Sequence, residues 1–331
     1  MSTTCLSTRV LHGPEHVRLQ DLDRLVESRV LESGYRAARW FSIDQIRNLV
    51  RERSTAAICG REAHVYAVEE DNTLLGMASW VRLPWDSDLL QLSTARMDLL
   101  PCIASDAATI QKHLITSILE DCSASGIQYV TTRTPAVEHL SVHGLEAAGF
   151  QLIDGIQTFG RKLDGPVQAA QSGVTVRQFR LADMDEVCRI ARSAYRYDRF
   201  HNDPAIDKNR ADLLHETWVR NSCLGEAAEG VVVAVESGRV AGFVTCKIDR
   251  SAEKHVGSAI GTIVLVATAS EFQAKGIGRA ATLGALEWFR ERGVNFVEVG
   301  TQITNVPATR LYESVGFRYL GANLTYRRLL P

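Results

Sequence analysis

The chain repeats itself once at a fixed offset, and this constrains its fold more than any other feature. Gly126-Ile-Gln-Tyr-Val opens a segment that reaches Gly149-Phe150, and Gly293-Val-Asn-Phe-Val opens one that reaches Gly316-Phe317. The glycines of each pair are 23 residues apart. The offset of 167 that relates the pairs also carries Val130 to Val297, Thr158 to Thr325, Arg161 to Arg328 and Leu163 to Leu330. A single register held without a gap reads as a duplicated domain. The length of 331 residues agrees, since about 150 residues make one domain that buries its own core.

The secondary-structure signals repeat in order. In the second half, strands are expected over 174–179, 230–236, 239–248, 259–268, 294–300 and 317–329, and helices over 182–195, 276–292 and 307–315. The first half offers a hairpin of 64–69 and 73–81 around Asp71-Asn72, a helix over 105–123, a strand over 127–132, a helix over 135–148 and a strand over 150–163. Period-two β-branched runs mark the strands, and amphipathic runs closed by glycine mark the helices. Strands alternating with helices after an opening hairpin imply a mixed α/β sheet in each half. The Gly, Pro and small polar residues of 165–173 make the best linker, which sets the expected domains at 1–164 and 174–331.

Composition narrows the partners. The 37 basic against 39 acidic residues leave no basic footprint, which argues against nucleic acid. The longest apolar stretch, 259–269, is far below the roughly 20 residues of a membrane helix. The N-terminus, MSTTCLSTRVLHGPEH, lacks a signal peptide's basic-then-apolar pattern. Seven scattered cysteines without a C-x-x-C pair suggest reduced thiols and a cytoplasmic setting.

Chemistry enters at Gln273-Ala-Lys-Gly276-Ile-Gly278-Arg279-Ala280, between an expected strand and an expected helix. Glycines there let backbone N–H groups approach an anion, and the helix N-terminus adds partial positive charge. Gly276-x-Gly278-x-x-Ala281 also fits a dinucleotide fingerprint, with Glu298 near the ribose-acid spacing. That alternative fails on context, because 269–275 separate the strand from the glycines and no further βαβ units follow. No G-x-x-x-x-G-K-[S/T] occurs, so a P-loop is excluded.

The whole loop, Q-x-x-G-x-G, resembles the acyl-CoA pyrophosphate loop of the GNAT superfamily of N-acetyltransferases. The segment Leu265-Val-Ala-Thr-Ala-Ser-Glu-Phe-Gln-Ala-Lys-Gly-Ile-Gly-Arg looks like that superfamily's at nearly every position. A second signature follows in the right order, Asn305-Val-Pro-Ala308-Thr-Arg-Leu-Tyr312-Glu313-Ser-Val-Gly316-Phe317. The resemblance covers 174–330 and departs at Thr268, Ser270 and Ala274, where the family often has Val, Pro and Gly. It implies a tandem GNAT fold with acetyl-CoA as co-substrate, no metal, and a small-molecule amine as acceptor. It also implies roles: Tyr312 as general acid toward the CoA sulfur, Asn305 near the pantetheine, and backbone groups of Val266, Ala267 and Thr268 pairing with pantetheine. Gln273, Ala274, Lys275, Gly276, Ile277, Gly278 and Arg279 would hold the pyrophosphate. A phenol of reference pKa about 10 is protonated at neutral pH and can donate. Core packing for Tyr312 and plain N-capping for Asn305 are the alternatives. The general base stays open among Glu298, His255, His201 and a water chain.

The first half lacks this equipment. At the same offset Thr109 and Gln111 stand opposite Gly276 and Gly278, Glu138 opposite Asn305 and Leu145 opposite Tyr312. A single active site in the second half is expected. His139 and His143, one turn apart on a helix, lack a third metal ligand.

For the acceptor, Tyr195-Arg-Tyr-Asp-Arg-Phe-His-Asn-Asp-Pro204 and Trp218-Val-Arg-Asn-Ser-Cys-Leu-Gly225 lie where the resemblance puts acceptor-binding elements. Their R-F-H-x-D-P and W-x-x-N-S-x-x-G patterns resemble the TDP-fucosamine acetyltransferase group, which acetylates nucleotide-linked amino sugars. Leu83-Pro-Trp-Asp86-Ser87-Asp88, Ala95-Arg96-Met97 and Gly149-Phe-Gln-Leu-Ile-Asp154 look like its degenerate leading domain, although Leu89-Leu90 replaces the usual aromatic pair. Arg199 and His201 could then meet a diphosphate and Phe200 or Trp218 a ring. Alternatively Phe200 and Trp218 lie in the core, with Arg199 and Asp203 as a surface pair.

Overall fold

The computed structural model describes residues 7–11, 19–60, 62–71, 73–167 and 173–331. Most of the segment compared with a signal peptide lies outside these residues, as do Asn72 of the first hairpin turn and 168–172 of the expected linker. The chain divides into two compact units, Met1–Gly155 with Gly321–Pro331, and Ile156–Leu320.

The first unit begins with β1 (Ser7–Leu11) and three helices, α1 (Leu19–Leu31), α2 (Gly34–Ala38) and α3 (Ile43–Ile58). Sequence patterns left these helices unread. Ser42 opens α3 with a capping box, its hydroxyl accepting from Gln45 N while the Gln45 side chain accepts from Ser42 N. The hairpin β2 (His64–Glu70) and β3 (Thr73–Arg82) follows, then α4 (Pro84–Leu90), β4 (Thr94–Leu99), α5 (Ala107–Ala124), β5 (Tyr129–Pro135) and α6 (His139–Ala147). Ile110, Leu114, Ile115 and Ile118 line one face of α5 at helical spacing and bury it on Val68, Ala78 and Met97.

The second unit repeats the plan. It takes in β6 (Gln151–Lys162) from Ile156 onward, then β7 (Thr175–Gln178), α7 (Met184–Ala194), α8 (Arg199–Asn202) and α9 (Lys208–Cys223). Next come the hairpin β8 (Gly230–Glu236) and β9 (Arg239–Asp249), α10 (Glu253–Val256), β10 (Ile260–Thr268), α11 (Ile277–Arg290), β11 (Phe296–Gln302) and α12 (Val306–Ser314). The sheet order is β6-β11-β10-β9-β8-β7, and the β10–β11 pair alone is parallel. The mixed α/β architecture expected from the sequence is present in each unit.

The boundary differs from the expected 164/174 because the two halves trade their last strands. β6 closes the second unit's sheet, pairing with β11 from Ile156↔Gln302 to Lys162↔Phe296. Its repeat, β12 (Arg318–Leu329), closes the first unit's sheet on β5, from Asn323↔Pro135 to Leu329↔Tyr129. The repeated residues explain how each strand fits the other half's slot. Arg161 donates to Val315 O at the end of α12, and Arg328 donates to Gly149 O just past α6 at 3.1 Å. Helix C-termini favour such cations. Leu163 N donates to Asn295 O, and Leu330 N to Gln128 O, again 167 residues apart. An offset that preserves these partners makes exchange cost little.

Candidate active site

The site is built where β10 and β11 part. Their parallel ladder runs from Ile260↔Phe296 to Ile263↔Val299 and stops, although both strands continue. On its other edge β10 carries a bulge. Val264 and Leu265 both stand opposite Thr245, between the pairs Ile263↔Cys246 and Val266↔Val244. Leu265 N donates to the buried Thr245 hydroxyl at 3.0 Å, which fixes the bulge. Val266, Ala267 and Thr268 then pair with Val244, Phe243 and Gly242 of β9, so their other edge faces the opening between β10 and β11.

The chain leaves β10 through a turn at Ser270–Phe272 and crosses Gln273, Ala274, Lys275 and Gly276, all exposed, before α11 begins. Ala274 and Gly276 have φ of 60° and 78°, the left-handed region that favours glycine. Among the described residues no N-cap side chain accepts from α11, and the N–H groups of its first turn have no intrahelical acceptor. An exposed, uncapped N-terminus of a 14-residue helix suits a phosphate. Lys275 Nζ lies 5.1 Å above the Phe272 ring, beside this mouth.

Tyr312 faces the same unit from α12. Its side chain is 3% exposed, with ring centroids 6.2 Å from Phe159 and 5.9 Å from Phe317. Burial pushes its hydroxyl pKa far up, which keeps the phenol protonated and able to donate. Asn305 caps α12, its Oδ1 accepting from Ala308 N at 3.2 Å. Glu298 sits on β11 opposite Thr262, one pair before the ladder ends, and burial raises its pKa to about 8. His255 lies on α10 before β10, at the strand's other end from the glycine loop.

The segment read as acceptor-binding folds into a buried polar cluster. Asp198 caps α8, its Oδ1 accepting from Phe200 N at 2.9 Å, and its Oδ2 meets His201 Nδ1 at 2.6 Å. His201 Nε2 meets Asp212 at 3.0 Å on α9, so both ring nitrogens are engaged within the protein rather than offered to a diphosphate. Burial opposes the imidazolium, but the two carboxylates win and raise the His201 pKa. His215, one turn beyond Asp212, has its pKa lowered by burial and places Nδ1 2.9 Å from Ala211 O. Phe200 is 7% exposed beneath the Arg199 guanidinium, whose carbon is 4.5 Å from the ring centroid. Phe200 is therefore a core ring, as the alternative reading had it. Asp203 is buried, not half of a surface pair, and accepts from Ala205 N at 2.9 Å, closing a turn after α8. Trp218 stacks toward His215 at 6.5 Å.

Tyr195, at the end of α7, stacks on His215 with centroids 4.3 Å apart at 18°. Its hydroxyl is buried without a hydrogen-bond partner among the described residues, an arrangement that costs about 1–3 kcal/mol. The acceptor segment includes Tyr195 and Asp198 without giving either a role, and Asp212 and His215 lie outside it. The i, i+3 spacings of Asp198 with His201 and Asp212 with His215 are their signal. Asp198, His201 and His215 place three donor atoms within 4.8 Å of one another. The 2.6 Å contact between Asp198 and His201 is a hydrogen bond. It is shorter than the roughly 3.3 Å between two ligands of one tetrahedral zinc. The cluster is a hydrogen-bonded network.

Residues 184–317 match the model of the acetyltransferase (GNAT) family. This segment is a GNAT acetyltransferase domain. Two solved structures share the fold along almost the whole chain. A GCN5-related N-acetyltransferase from Sphaerobacter thermophilus covers 98% of this chain and 95% of its own, at 16% identity and a TM-score of 0.65. A tandem GNAT protein from the clavulanic acid biosynthesis pathway covers 98% of both chains, at 13% identity and a TM-score of 0.52. The fold is accordingly a tandem GNAT fold. Among curated relatives, a mycothiol acetyltransferase from Renibacterium salmoninarum is 26% identical over 56% of each chain. The spore coat polysaccharide biosynthesis protein SpsD of Bacillus subtilis is 25% identical over 75% of this chain and 82% of its own. The chain thus spans about half the length of the mycothiol acetyltransferase it matches. Among the described residues no helix is long and apolar enough to cross a membrane.

Proposed function

We propose that the chain is an acetyl-CoA-dependent N-acetyltransferase with one active site, in the second unit, acting on the primary amine of a small carbohydrate-bearing molecule. One observation carries the reading. An opened strand pair, an uncapped helix N-terminus and a buried phenol occur together in the unit that matches the GNAT model.

Acetyl-CoA supplies an acyl group activated as a thioester. Backbone amides from Ala274 to Arg279, with the Lys275 and Arg279 cations, hold its pyrophosphate. The free edge of Val266–Thr268 takes the pantetheine as an added strand and polarises the thioester carbonyl. Tyr312 gives its proton to the departing sulfur as the C–N bond forms and the C–S bond breaks. Arg199 and Trp218 flank the acceptor side, while His201 and Asp203 brace it from within.

The amino-sugar acceptor, including one on a nucleotide carrier, is supported by the R-F-H-x-D-P segment and by the likeness to SpsD, a protein of spore coat polysaccharide biosynthesis. The mycothiol acetyltransferase relatives favour a second reading, in which the acceptor is the amine of a thiol precursor. The six described cysteines are free thiols, which suits a cytoplasmic enzyme. Thiol release from acetyl-CoA, followed across amino-sugar nucleotides, free amino sugars and thiol-precursor amines, tests both. Turnover with an amino sugar supports the first. Tight CoA binding without turnover of any amine would leave an acyl-CoA-binding module instead.

A further inference from the structure

We infer that Tyr195 is an acceptor-binding residue of this site, its hydroxyl accepting a hydrogen bond from the attacking amine. The inference rests on the acetyltransferase reading above and adds a specific contact to it. Among the described residues, the carboxylate and imidazole groups beside Tyr195 are largely engaged with one another. Asp198 uses one oxygen on the start of α8 and the other on His201. His201 uses both ring nitrogens. His215 holds Ala211 O with Nδ1, and its Nε2 is 3.9 Å from Asp198, beyond hydrogen-bond reach. The Tyr195 ring is fixed by its stack on His215, while its hydroxyl is buried and unpaired. Buried hydroxyls are nearly always satisfied, so one held rigidly without a partner marks a place where a ligand completes the bond.

Its position points to which ligand. Tyr195 packs against the hydrophobic cluster that also holds Tyr312 and Ala267, and Asp198 lies three residues further along the chain. The ring is thus anchored on the same core as the proposed acid. A phenolic oxygen there can accept from an amine N–H and aim the nitrogen lone pair at the thioester carbon. The nitrogen bonds to the acyl carbon, the carbon–sulfur bond breaks, the sulfur takes the Tyr312 proton, and the nitrogen's surplus proton leaves to water. Asp198, His201, Asp212 and His215 are positioning residues that hold the ring.

Tyr195→Phe keeps the ring and removes only the hydroxyl. It should raise KM for the amine about tenfold, the scale of one lost hydrogen bond, with KM for acetyl-CoA unchanged. Its thermal midpoint should equal or exceed that of the wild type, because no bond within the protein is lost. Unchanged KM and kcat for the amine would overturn the assignment, while wild-type turnover in the same assay would still support the acetyltransferase. His215→Ala, which removes the stack, should shift the amine KM in the same direction, and His215→Phe should restore most of it. Equal effects of His215→Ala on both substrates would mean that the ring serves folding alone, and would count against the inference.

Discussion

In the second unit β10 and β11 part beyond Ile263↔Val299 and leave an opening; in the first, β4 and β5 pair from Thr94↔Tyr129 to Met97↔Thr132, and the space beyond is filled. Arg29 of α1 donates to Leu99 O at 2.8 Å and to the Glu138 carboxylate. By the offset of 167, Leu99 corresponds to Val266 and Glu138 to Asn305, two positions assigned to pantetheine in the second unit. β4 pairs with β3 without a bulge from Ala78↔Leu99 to Arg82↔Ala95, whereas β10 has one. α5 starts at Ala107, the counterpart of Ala274, so Thr109 and Gln111 lie inside the helix. Its N-cap Asp106 accepts from Thr109 N, which sets a carboxylate where α11 has an uncapped end. Leu145, fully buried, replaces Tyr312. One fold has been used twice, once with the opening proposed for the cofactor and once with the equivalent space plugged, capped and straightened.

The largest test of this contrast is Tyr312→Phe. Removing a general acid should cut kcat by about 100-fold or more, with CoA affinity measured by calorimetry unchanged. Full activity would place the acid elsewhere and remove the chief distinction between Tyr312 and Leu145.

Arg29→Ala comes next. It strands the Glu138 carboxylate, 8% exposed, without its cation. Breaking such a pair costs about 3–5 kcal/mol when both groups are buried. Arg29 is 20% exposed, so the expected loss in urea unfolding is smaller, about 2–3 kcal/mol. CoA should still bind once per chain, because Asp106 and the straight β4 remain. A second equivalent of bound CoA would mean that Arg29 alone closes the first slot.

Much of this was legible in the chain itself. Period and offset located the hairpins, the later strands and helices α5 to α7, α11 and α12 but passed over β1, β4, α1 to α4 and α8 to α10, and the glycine loop and Asn305–Phe317 segment pointed to the candidate site. What stayed hidden depends on distance along the chain. Arg29 meets Glu138 across 109 residues, and nothing in the pattern of α1 announces that contact. The strand exchange is invisible because Arg161 and Arg328 find equivalent partners in either arrangement. The segment read as acceptor-binding stands out by its motif, but Phe200 and His201 face inward, and the hydroxyl left over belongs to Tyr195.

Gly276→Asp transfers the first unit's cap to the second. The carboxylate would occupy the N–H groups of α11 and repel the pyrophosphate. A non-glycine residue at φ 78° also carries about 1–2 kcal/mol of strain. CoA affinity should fall about tenfold, read as Kd by calorimetry. An unchanged Kd would show that the loop amides do not hold the phosphates.

The smallest expected effect is the most local. Ala274 is the loop position where the family often has glycine, and its φ of 60° shows the reason. A Cβ in the left-handed region costs about 1–2 kcal/mol, partly offset by the lower entropy of alanine in the unfolded chain. Ala274→Gly should therefore stabilise the protein by about 0.5–1 kcal/mol, seen as a higher thermal midpoint. It should also leave CoA binding equal or tighter, since it removes a methyl group from the loop and adds no charge. The corresponding substitution in the first unit, Ala107→Gly, falls in the first turn of α5 and should instead cost up to about 1 kcal/mol. Opposite signs at two positions 167 residues apart would show that the copies now differ in backbone conformation as well as in side chains. The same sign at both would mean that the loop of the second unit relaxes to helix when no cofactor is bound, and the uncapped end of α11 would then be a consequence of binding.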